Sequence, residues 1–457
     1  MKKLLTVLWS AYILFLPLNL TFWLGIENIL PVDFLAPLLL AVSAWVWRRE
    51  LPALLRLDWP VILYLVLFLA TAVPAVFRDG PSRALVVAVA AQVYLAALYF
   101  ALRAQCCESG QLGRLLHLWA WASSVYAMIG IAGVALGYLG VATPLARWYP
   151  DLGPGAWRMV GTLGHSPNFI FSYLHAGFFV CLGLYLAARE DSAKARGRGT
   201  LAVLTAVHGL ALFLTCSRGI LGTAFGALLI LSMRGRDLSQ PVRLLRGAAW
   251  TGLIGLFLYS SVFFTYTTDA LFTPSQAAAD SLRLSVDSPH RSLYAYKNVA
   301  HLEDGALYTR LPGGFTFLPA QHWHLLTGSW HMFREHVLFG VGPGLYPKNL
   351  SGLRNSGAAG LPPGLPELKP HSTPLGALAE GGLTGLAALA LLWIFFLRRP
   401  VNGGLQNNPL ALALYAGLAG WLAVGLNIDI MNFRWLWLYF ALTMAARQDY
   451  KCGGKSV

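Results

Sequence analysis

The sequence alternates long apolar runs with short polar segments that are rich in lysine and arginine. A bilayer core needs roughly 20 consecutive apolar residues per helix, and runs of about this length recur along most of the chain. Twelve candidate spans lie near residues 4–25, 29–47, 59–77, 84–102, 115–141, 167–188, 200–216, 219–233, 248–267, 374–397, 409–426 and 431–446. The first run has no clear small-residue cleavage site and a second run follows at once, so we interpret it as retained. The pattern predicts an all-α polytopic membrane protein with about 12 transmembrane helices.

One long segment, residues 268–370, interrupts this alternation and is longer than a simple connector. Its stretch TPSQAAADSLRLSV carries a helix-starting capping box. Its stretch AQHWHLLTGSWHMFREHVLFG places Trp323, Leu326, Trp330 and Phe333 on one helical face. We expect this stripe to pack on the membrane domain or to lie among lipid headgroups. The chain therefore divides into spans one to nine at 1–267, a large, partly helical loop at 268–370, and spans ten to twelve with a tail at 371–457.

The charged residues indicate how the chain is oriented. They make up 12% of the sequence, about half the share of a soluble domain, and the formal net charge is +14. With the N-terminus in the cytoplasm, the inner loops and the termini hold about twenty lysines and arginines. The short outer loops hold only Arg78, Arg83, Arg147, Arg158 and Arg218. This asymmetry predicts cytoplasmic termini and an outward-facing large loop, and it assigns the basic balance to topology and anionic lipid rather than to nucleic acid.

The stretch TCSRGILG puts Arg218 in a hairpin between the seventh and eighth spans, at the outer end of the seventh. A charge in a membrane segment predicts a function, whereas an arginine near a helix end also reaches the headgroups by snorkelling. Small residues flank Arg218 on both sides, so a ligand has room to approach it. We therefore favour the functional interpretation.

The histidines are concentrated on the outer side of this topology. Eight of the eleven lie there: His165, His290, His301, His322, His324, His331, His336 and His371. No HExxH motif occurs, and no DxD occurs in an outer loop, so we predict no catalytic metal and no cofactor. His371 stands directly before the tenth span, on the same face as Arg218. Histidine is the usual general base near neutral pH; the alternative is an interfacial residue at a helix start.

Four motifs, in this order along the chain, resemble the O-antigen ligase and O-antigen polymerase superfamily of bacterial envelope glycosyltransferases. They are GHSPNFIFSYL with Asn168, LTCSRGILG with Arg218, HMFREHVLFGVGPGLY in the large loop, and HSTPLGALAEGGLTGLAAL from His371. The resemblance covers roughly residues 160–397 by motif and the whole chain by topology. It implies a GT-C-like membrane fold in the bacterial inner membrane, with the large loop and the active site in the periplasm.

The resemblance implies transfer of a glycan from undecaprenyl pyrophosphate to an acceptor hydroxyl, without a metal. Arginine's planar fork suits the departing diphosphate, which gives Arg218 the role of stabilising the leaving group and His371 the role of base. The sequence departs from the family in two places. Ser372 follows the histidine where the family often has asparagine, and QHWH stands where the family usually has a second arginine. The second cationic group is therefore open among Arg310, Arg291 and His322.

Three further residues are candidates for substrate contact beside His322. Arg434 opens the last span on the outer side, where it contacts the diphosphate or anchors the helix. Glu380 lies nine residues into the tenth span and needs a partner there, for which Arg434 and Arg218 are available. Asn168 belongs to the Pro-Asn pair that begins an earlier span.

The acceptor stays open within the family. A ligase moves the glycan to lipid A–core in lipopolysaccharide synthesis, a polymerase joins repeat units, and a third relative modifies protein hydroxyls; we rank them in this order. A transporter or flippase of lipid-linked glycans is the alternative from another class. It would show pseudo-symmetric halves, whereas this chain shows no internal repeat and its long loop has no counterpart in the first half.

Overall fold

The computed structural model describes residues 1–18, 31–149, 156–163, 167–190, 197–217, 219–234, 249–250, 264–268, 309–311, 315–319, 321–357, 361, 369–398, 408–426 and 428–447. Within these ranges the protein is mostly helical. The helices that follow the predicted spans are α1 (Lys2–Phe15), α2 (Pro31–Val46), α3 (Leu51–Leu57), α4 (Trp59–Asp79), α5 (Arg83–Gln105), α6 (Gln111–Tyr138), α7 (Pro167–Glu190), α8 (Arg198–Leu214) and α9 (Ile220–Arg234). After them come α10 (Gln321–Glu335) and α11 (Tyr346–Ser356) in the large loop, then α12 (Thr373–Leu397), α13 (Pro409–Gly425) and α14 (Arg434–Arg447).

Five of the described helices are long and apolar enough to cross a membrane, namely α4, α5, α6, α7 and α12. The pair α2 and α3 adds a sixth if it forms one span, bent by 99°. Described helices also lie at the other predicted spans except the ninth, most of which falls outside the described residues. The prediction of a helical membrane protein is therefore confirmed, while the count of twelve spans stays a prediction.

Short strands depart from the predicted all-α fold. Strands β1 (Ala146–Tyr149) and β2 (Ala156–Met159) form an antiparallel hairpin before α7. Strands β3 (Phe264–Thr268), β4 (Thr309–Leu311) and β5 (Phe315–Pro319) form an antiparallel sheet in the order β3-β5-β4. The last four residues of the expected ninth span therefore lie in a strand. The stretch FTYTT consists of aromatic and β-branched residues, which favour a pleated strand once a partner such as FTFLP lies opposite.

The bundle core lies where α7, α9 and α13 meet. His175 of α7 is fully buried there: its Nδ1 bonds the Thr223 hydroxyl of α9 at 2.8 Å, and its Nε2 donates to the Gly417 carbonyl of α13 at 2.8 Å. Glycine and alanine recur along α13, so the neighbouring backbones approach closely, as in other membrane helix pairs. Gly222 lies against Val424 and Gly226 against Ala416, and Gly183 lies against Leu410. Helices α7 and α9 are therefore antiparallel to α13 and begin near its end.

Helix α12 is broken at Gly382, whose φ of 60° and ψ of −153° are open essentially to glycine alone. The segment 337–342 of the large loop lies in this break. Four backbone hydrogen bonds of 2.8–3.1 Å join the two, from Val341, Gly342, Leu383 and Thr384 to Ala379, Glu380, Val337 and Leu338. A break at membrane depth is tolerated where protein satisfies the freed backbone groups, and this segment supplies those partners.

Helix α10 packs against α12 through a different face from the one predicted. Its buried residues are Leu325, Ser329 and Met332, whereas Trp330 of the predicted stripe is 50% exposed. Of the two positions predicted for the stripe, packing on the membrane domain does not hold for Trp330. Ser329 is suited to burial because its hydroxyl bonds the Leu325 carbonyl one turn back. The exposed tryptophan is compatible with the headgroup alternative.

Candidate functional site

The turn between α8 and α9 is held in place by two neighbouring elements. Arg158 of β2 donates from Nε to the Thr215 carbonyl at 2.9 Å and from Nη2 to the Cys216 carbonyl at 3.0 Å. A cation beside the carbonyls at the end of a helix is electrostatically favourable. Cys216 itself has a positive φ of 46°, a backbone strain that the surrounding contacts must offset.

Asn168, in the first turn of α7, contacts the same turn. Its Oδ1 accepts a 2.7 Å hydrogen bond from the Ser217 hydroxyl, and Ser217 Oγ accepts from the Gly219 N–H at 3.3 Å. Arg218 lies outside the described residues, but both of its neighbours are described. Asn168 therefore positions Ser217, and Ser217 joins the two residues that flank Arg218.

His371 directly precedes the capped start of α12. The Ser372 side chain caps the helix by accepting from the Leu375 N–H at 3.5 Å. The Thr373 hydroxyl donates to the Ile428 carbonyl at 2.8 Å and accepts from the Ile430 N–H at 3.0 Å. These bonds fasten the start of α12 to the loop that follows α13, and His371 is half-buried beside it.

The end of α13 joins these two regions. Ile428, which accepts from Thr373, donates its own N–H to the Val424 carbonyl at 3.1 Å, and the side chain of Val424 contacts Gly222 in the first turn of α9. Asn168, the residues flanking Arg218, and His371 therefore lie at one end of the bundle. This arrangement agrees with the prediction that both segments share a face.

Glu380 has a partner that the sequence did not predict. Its Oε1 accepts from the Tyr346 N–H at 3.3 Å, at the first residue of α11. This carboxylate, two residues before the break at Gly382 in α12, therefore lies at the N-terminus of α11, where negative charge is favourable. Arg434, one of the two partners considered for Glu380, is bound to Asp33 instead.

Arg434 binds Asp33 of α2 with both arms of its fork. Nε donates to Oδ1 at 2.8 Å and Nη2 donates to Oδ2 at 2.7 Å. The Tyr94 hydroxyl adds a 3.3 Å bond to Asp33 and itself lies 2.8 Å from the Tyr12 hydroxyl. Of the two roles predicted for Arg434, this geometry favours the helix anchor.

A cavity of about 360 Å³ lies beside the start of α12. Helices α4 and α5, the loop residues Pro343 and Gly344, and the loop between α13 and α14 enclose it. Its ionisable side chains are Lys369, Glu380 and Asp429, and Tyr64 of α4 also contributes to its wall.

Asp429 lies in the loop between the last two helices, and its burial raises the pKa of the carboxyl group. The nearby Lys369 ammonium and the hydrogen bonds from the Met431 N–H and the Asn432 amide act in the opposite direction. The site thus combines a polar hollow with a histidine and an arginine-bearing turn at the same end of one helix bundle.

A comparison with family models matches residues 201–390 to the family described as O-antigen ligase. The match covers less than half of the 457 residues and supports the resemblance of the chain to the O-antigen ligase superfamily. This is a family of membrane glycosyltransferases of the ligase and polymerase type, which use a lipid-linked glycan donor and a glycan acceptor. A search of curated proteins found no match.

The O-antigen ligase segment includes every candidate catalytic residue of the sequence analysis. His371 is described with its side chain, and Arg218 and Arg291 lie outside the described residues. Arg310 pairs with Thr316 in the β4–β5 register, and His322 lies in the first turn of α10. Their side chains are outside the described part of the chain, so the second cationic group stays a prediction. Within the described residues, no group of three or more His, Cys, Asp or Glu side chains is arranged to hold a metal.

Sequence reasoning missed several residues that build this candidate site. Gln92 is a polar residue inside the apolar run of α5, and Asp429 is an acid between two spans; both are signals of a function in a membrane protein. The Gly381–Gly382 pair was a helix-breaking signal. Lys369, two residues before His371, gave no signal of its own, because only the fold places it at a cavity.

Proposed function

We propose that this protein transfers a glycan from undecaprenyl pyrophosphate to an acceptor hydroxyl, and that its physiological reaction is ligation of O-antigen to lipid A–core. The observation that carries the proposal is the approach of two segments of the O-antigen ligase region to one end of the bundle. One segment carries Arg218 between Ser217 and Gly219, and the other carries His371 before α12.

The bond that breaks joins the anomeric carbon of the glycan to the diphosphate. Negative charge grows on the departing diphosphate, and a guanidinium fixed beside it lowers the barrier. Arg158 and Asn168 support this role of Arg218, because they bind the residues that precede it in the turn, and Ser217 in turn accepts from the Gly219 N–H that follows it. Fixed donors need no reorganisation at the moment of reaction.

The new bond joins the acceptor oxygen to the anomeric carbon, and the acceptor hydroxyl must lose its proton. We propose that His371, a half-buried imidazole at the same end of the bundle, accepts this proton as general base. The protonated imidazole then returns its proton to solvent, and undecaprenyl pyrophosphate leaves. The reaction balances without an oxidant, a reductant or a metal.

Reconstitution with a defined undecaprenyl-pyrophosphate glycan and three acceptors tests the proposal. Lipid A–core, a second donor molecule and a serine peptide are offered separately, and the product is identified by mass. Consumption of lipid A–core supports ligation, whereas consumption of the second donor or of the peptide replaces it with polymerisation or protein modification. Movement of the donor across the bilayer without transfer to any acceptor overturns the proposal in favour of a flippase.

The same assay in a chelator tests the assignment of the leaving group to arginine. We expect full activity in excess EDTA, because a guanidinium supplies the positive charge that a divalent cation supplies in other transferases. Activity that EDTA abolishes and Mg²⁺ restores would contradict this part of the mechanism.

A further inference from the structure

A chain of polar side chains crosses the cavity beside α12. The Tyr64 hydroxyl donates to Gln92 Oε1 at 3.2 Å, and the Gln92 amide donates to Asn432 Oδ1 at 3.2 Å. The Asn432 amide then donates to Asp429 Oδ2 at 2.8 Å. All four side chains contribute to the cavity wall. Each side chain donates to the next in the direction from Tyr64 to Asp429, so this hydrogen-bonded series ends on a carboxylate that accepts.

This series of hydrogen-bonded side chains joins three separate elements and lies among membrane helices. Tyr64 is on α4, Gln92 is on α5, and Asn432 and Asp429 are in the loop between α13 and α14. Polar groups in such surroundings are costly, and they mark substrate pathways more often than simple packing. The cavity, at about 360 Å³, has the size of a small-molecule site.

The charges of the wall select the class of ligand. Among the described residues of the wall, the two carboxyl groups of Glu380 and Asp429 oppose the ammonium of Lys369, so this part of the cavity offers no net positive charge to a diphosphate. Carboxylates and amides instead match sugar hydroxyls, since each hydroxyl both donates and accepts a hydrogen bond. We propose that this cavity binds a sugar residue, with Asp429, Asn432 and Gln92 as its hydrogen-bonding partners.

The position of the cavity links it to the transfer reaction. Lys369 is exposed at its edge and Pro370 is part of its wall, and His371 follows directly in the chain. A sugar held there would lie next to the proposed base, while the diphosphate would lie at the Arg218 turn. This inference rests on the proposed function for its role in catalysis, but the binding of sugar is independent of it. Both the donor glycan and the acceptor glycan carry the required hydroxyls.

Two variants test the site in different ways. Asn432→Ala breaks the polar chain next to Asp429. Ala91→Leu adds volume at the cavity wall and leaves the four polar side chains in place, so it remains informative if Asn432→Ala folds poorly. Asn355→Ala is the matched control, because Asn355 is exposed on α11 and is not part of the cavity wall. Thermal unfolding of all three purified proteins monitors folding.

Binding is measured first, without turnover, by saturation-transfer NMR on the detergent-solubilised protein. The probes are the core oligosaccharide released from lipid A and the repeat-unit oligosaccharide released from the donor. We expect Asn432→Ala and Ala91→Leu to weaken binding of one of them by about three- to tenfold, the size of one lost hydrogen bond, and Asn355→Ala to bind as the wild type does. Wild-type affinity for both probes in both cavity variants would overturn the proposal.

The transfer assay then identifies the source of the sugar. We expect the KM of one glycan to rise in the cavity variants while kcat changes little. A higher KM for the acceptor assigns the acceptor sugar to the cavity, and a higher KM for the donor assigns the donor sugar to it. A fall in kcat with both KM values unchanged would contradict a sugar site. If the wild-type protein binds sugar but transfers none, the proposed function fails and the sugar site stands.

Discussion

Arg434 has its guanidinium fork occupied by both oxygens of Asp33, and each residue has only about a fifth of its side chain exposed. A bidentate pair of this kind fixes geometry as well as charge. Because α2 and α14 are far apart in the sequence, the pair fastens the first helices of the chain to the last. The sequence identified Arg434 as a notable charge, but a partner that lies 401 positions away follows only from the fold.

Replacing Arg434 with lysine should cost about 2 kcal/mol of stability, the size of lost hydrogen bonds to a charged group. Lysine keeps the charge but cannot bind both carboxylate oxygens. We expect Arg434→Lys and Asp33→Asn to lower Tm similarly, and the double variant to fall little further because the two residues act through one contact. Thermal unfolding followed by tryptophan fluorescence measures this. Additive losses would show that Arg434 acts through another contact.

At the scale of elements, the break in α12 organises the packing of the large loop against the helix bundle. The inserted segment 337–342 satisfies the backbone on both sides of Gly382, and Glu380 accepts from the start of α11. Arg78 of α4 donates from Nη2 to the Val341 carbonyl at 2.6 Å and fastens the segment from the other side. The GVGPG motif thus has a structural role, since a Cβ at Gly340 would collide with the α12 backbone.

Gly382→Ala should destabilise the protein by about 2 kcal/mol or more. Alanine is strained at this φ and ψ, and its Cβ would overlap the backbone of Leu338. Gly352→Ala is the control, because Gly352 lies within α11 with open space around it, and alanine there should stabilise the helix by up to about 1 kcal/mol. Thermal unfolding and limited proteolysis of the large loop measure both effects. An unchanged Tm in Gly382→Ala would contradict the insertion.

His336 should make the stability of this region depend on pH. Burial and the Arg78 guanidinium both lower the pKa of His336, while Glu335 and Asp79 oppose them. The folded protein therefore favours the neutral ring, and this part of its stability is present above the unfolded pKa of about 6.5 and is lost as the pH falls below it. We expect Tm to fall more between pH 7.5 and 5.5 in the wild type than in His336→Gln. Equal pH dependence in the two proteins would refute this.

At the scale of the whole molecule, the sequence predicted the helical membrane class and the resemblance of residues 201–390 to O-antigen ligases. Apolar length and loop charge carry that information directly. It did not predict the two small sheets, the buried face of α10 or the partner of Glu380. Each of these depends on contacts between separate segments, such as the Ser329 hydroxyl with the Tyr346 hydroxyl, or the Tyr346 N–H with Glu380 of α12. Such contacts produce no periodic pattern in the sequence.

Cys216 provides a native probe of topology, because it is exposed and lies two residues before Arg218. If that turn faces the periplasm, a membrane-impermeant maleimide should label Cys216 in cells whose outer membrane alone has been permeabilised. Cys216→Ser should lose this labelling. The protein is recovered by an affinity tag and labelling is read on a gel. Labelling that requires disruption of the inner membrane would place the turn in the cytoplasm.

Single-turnover transfer by purified His371→Ala and Arg218→Gln proteins, measured together with donor binding, tests most directly whether the two segments act on one diphosphate-linked glycan. We expect His371→Ala to slow transfer by about 100-fold or more, the contribution of a general base, while donor binding persists. Arg218→Gln should weaken both donor binding and transfer, and His331→Ala on α10 should behave as the wild type. Transfer at the wild-type rate in His371→Ala, or unaltered donor binding and transfer in Arg218→Gln, would contradict a shared site.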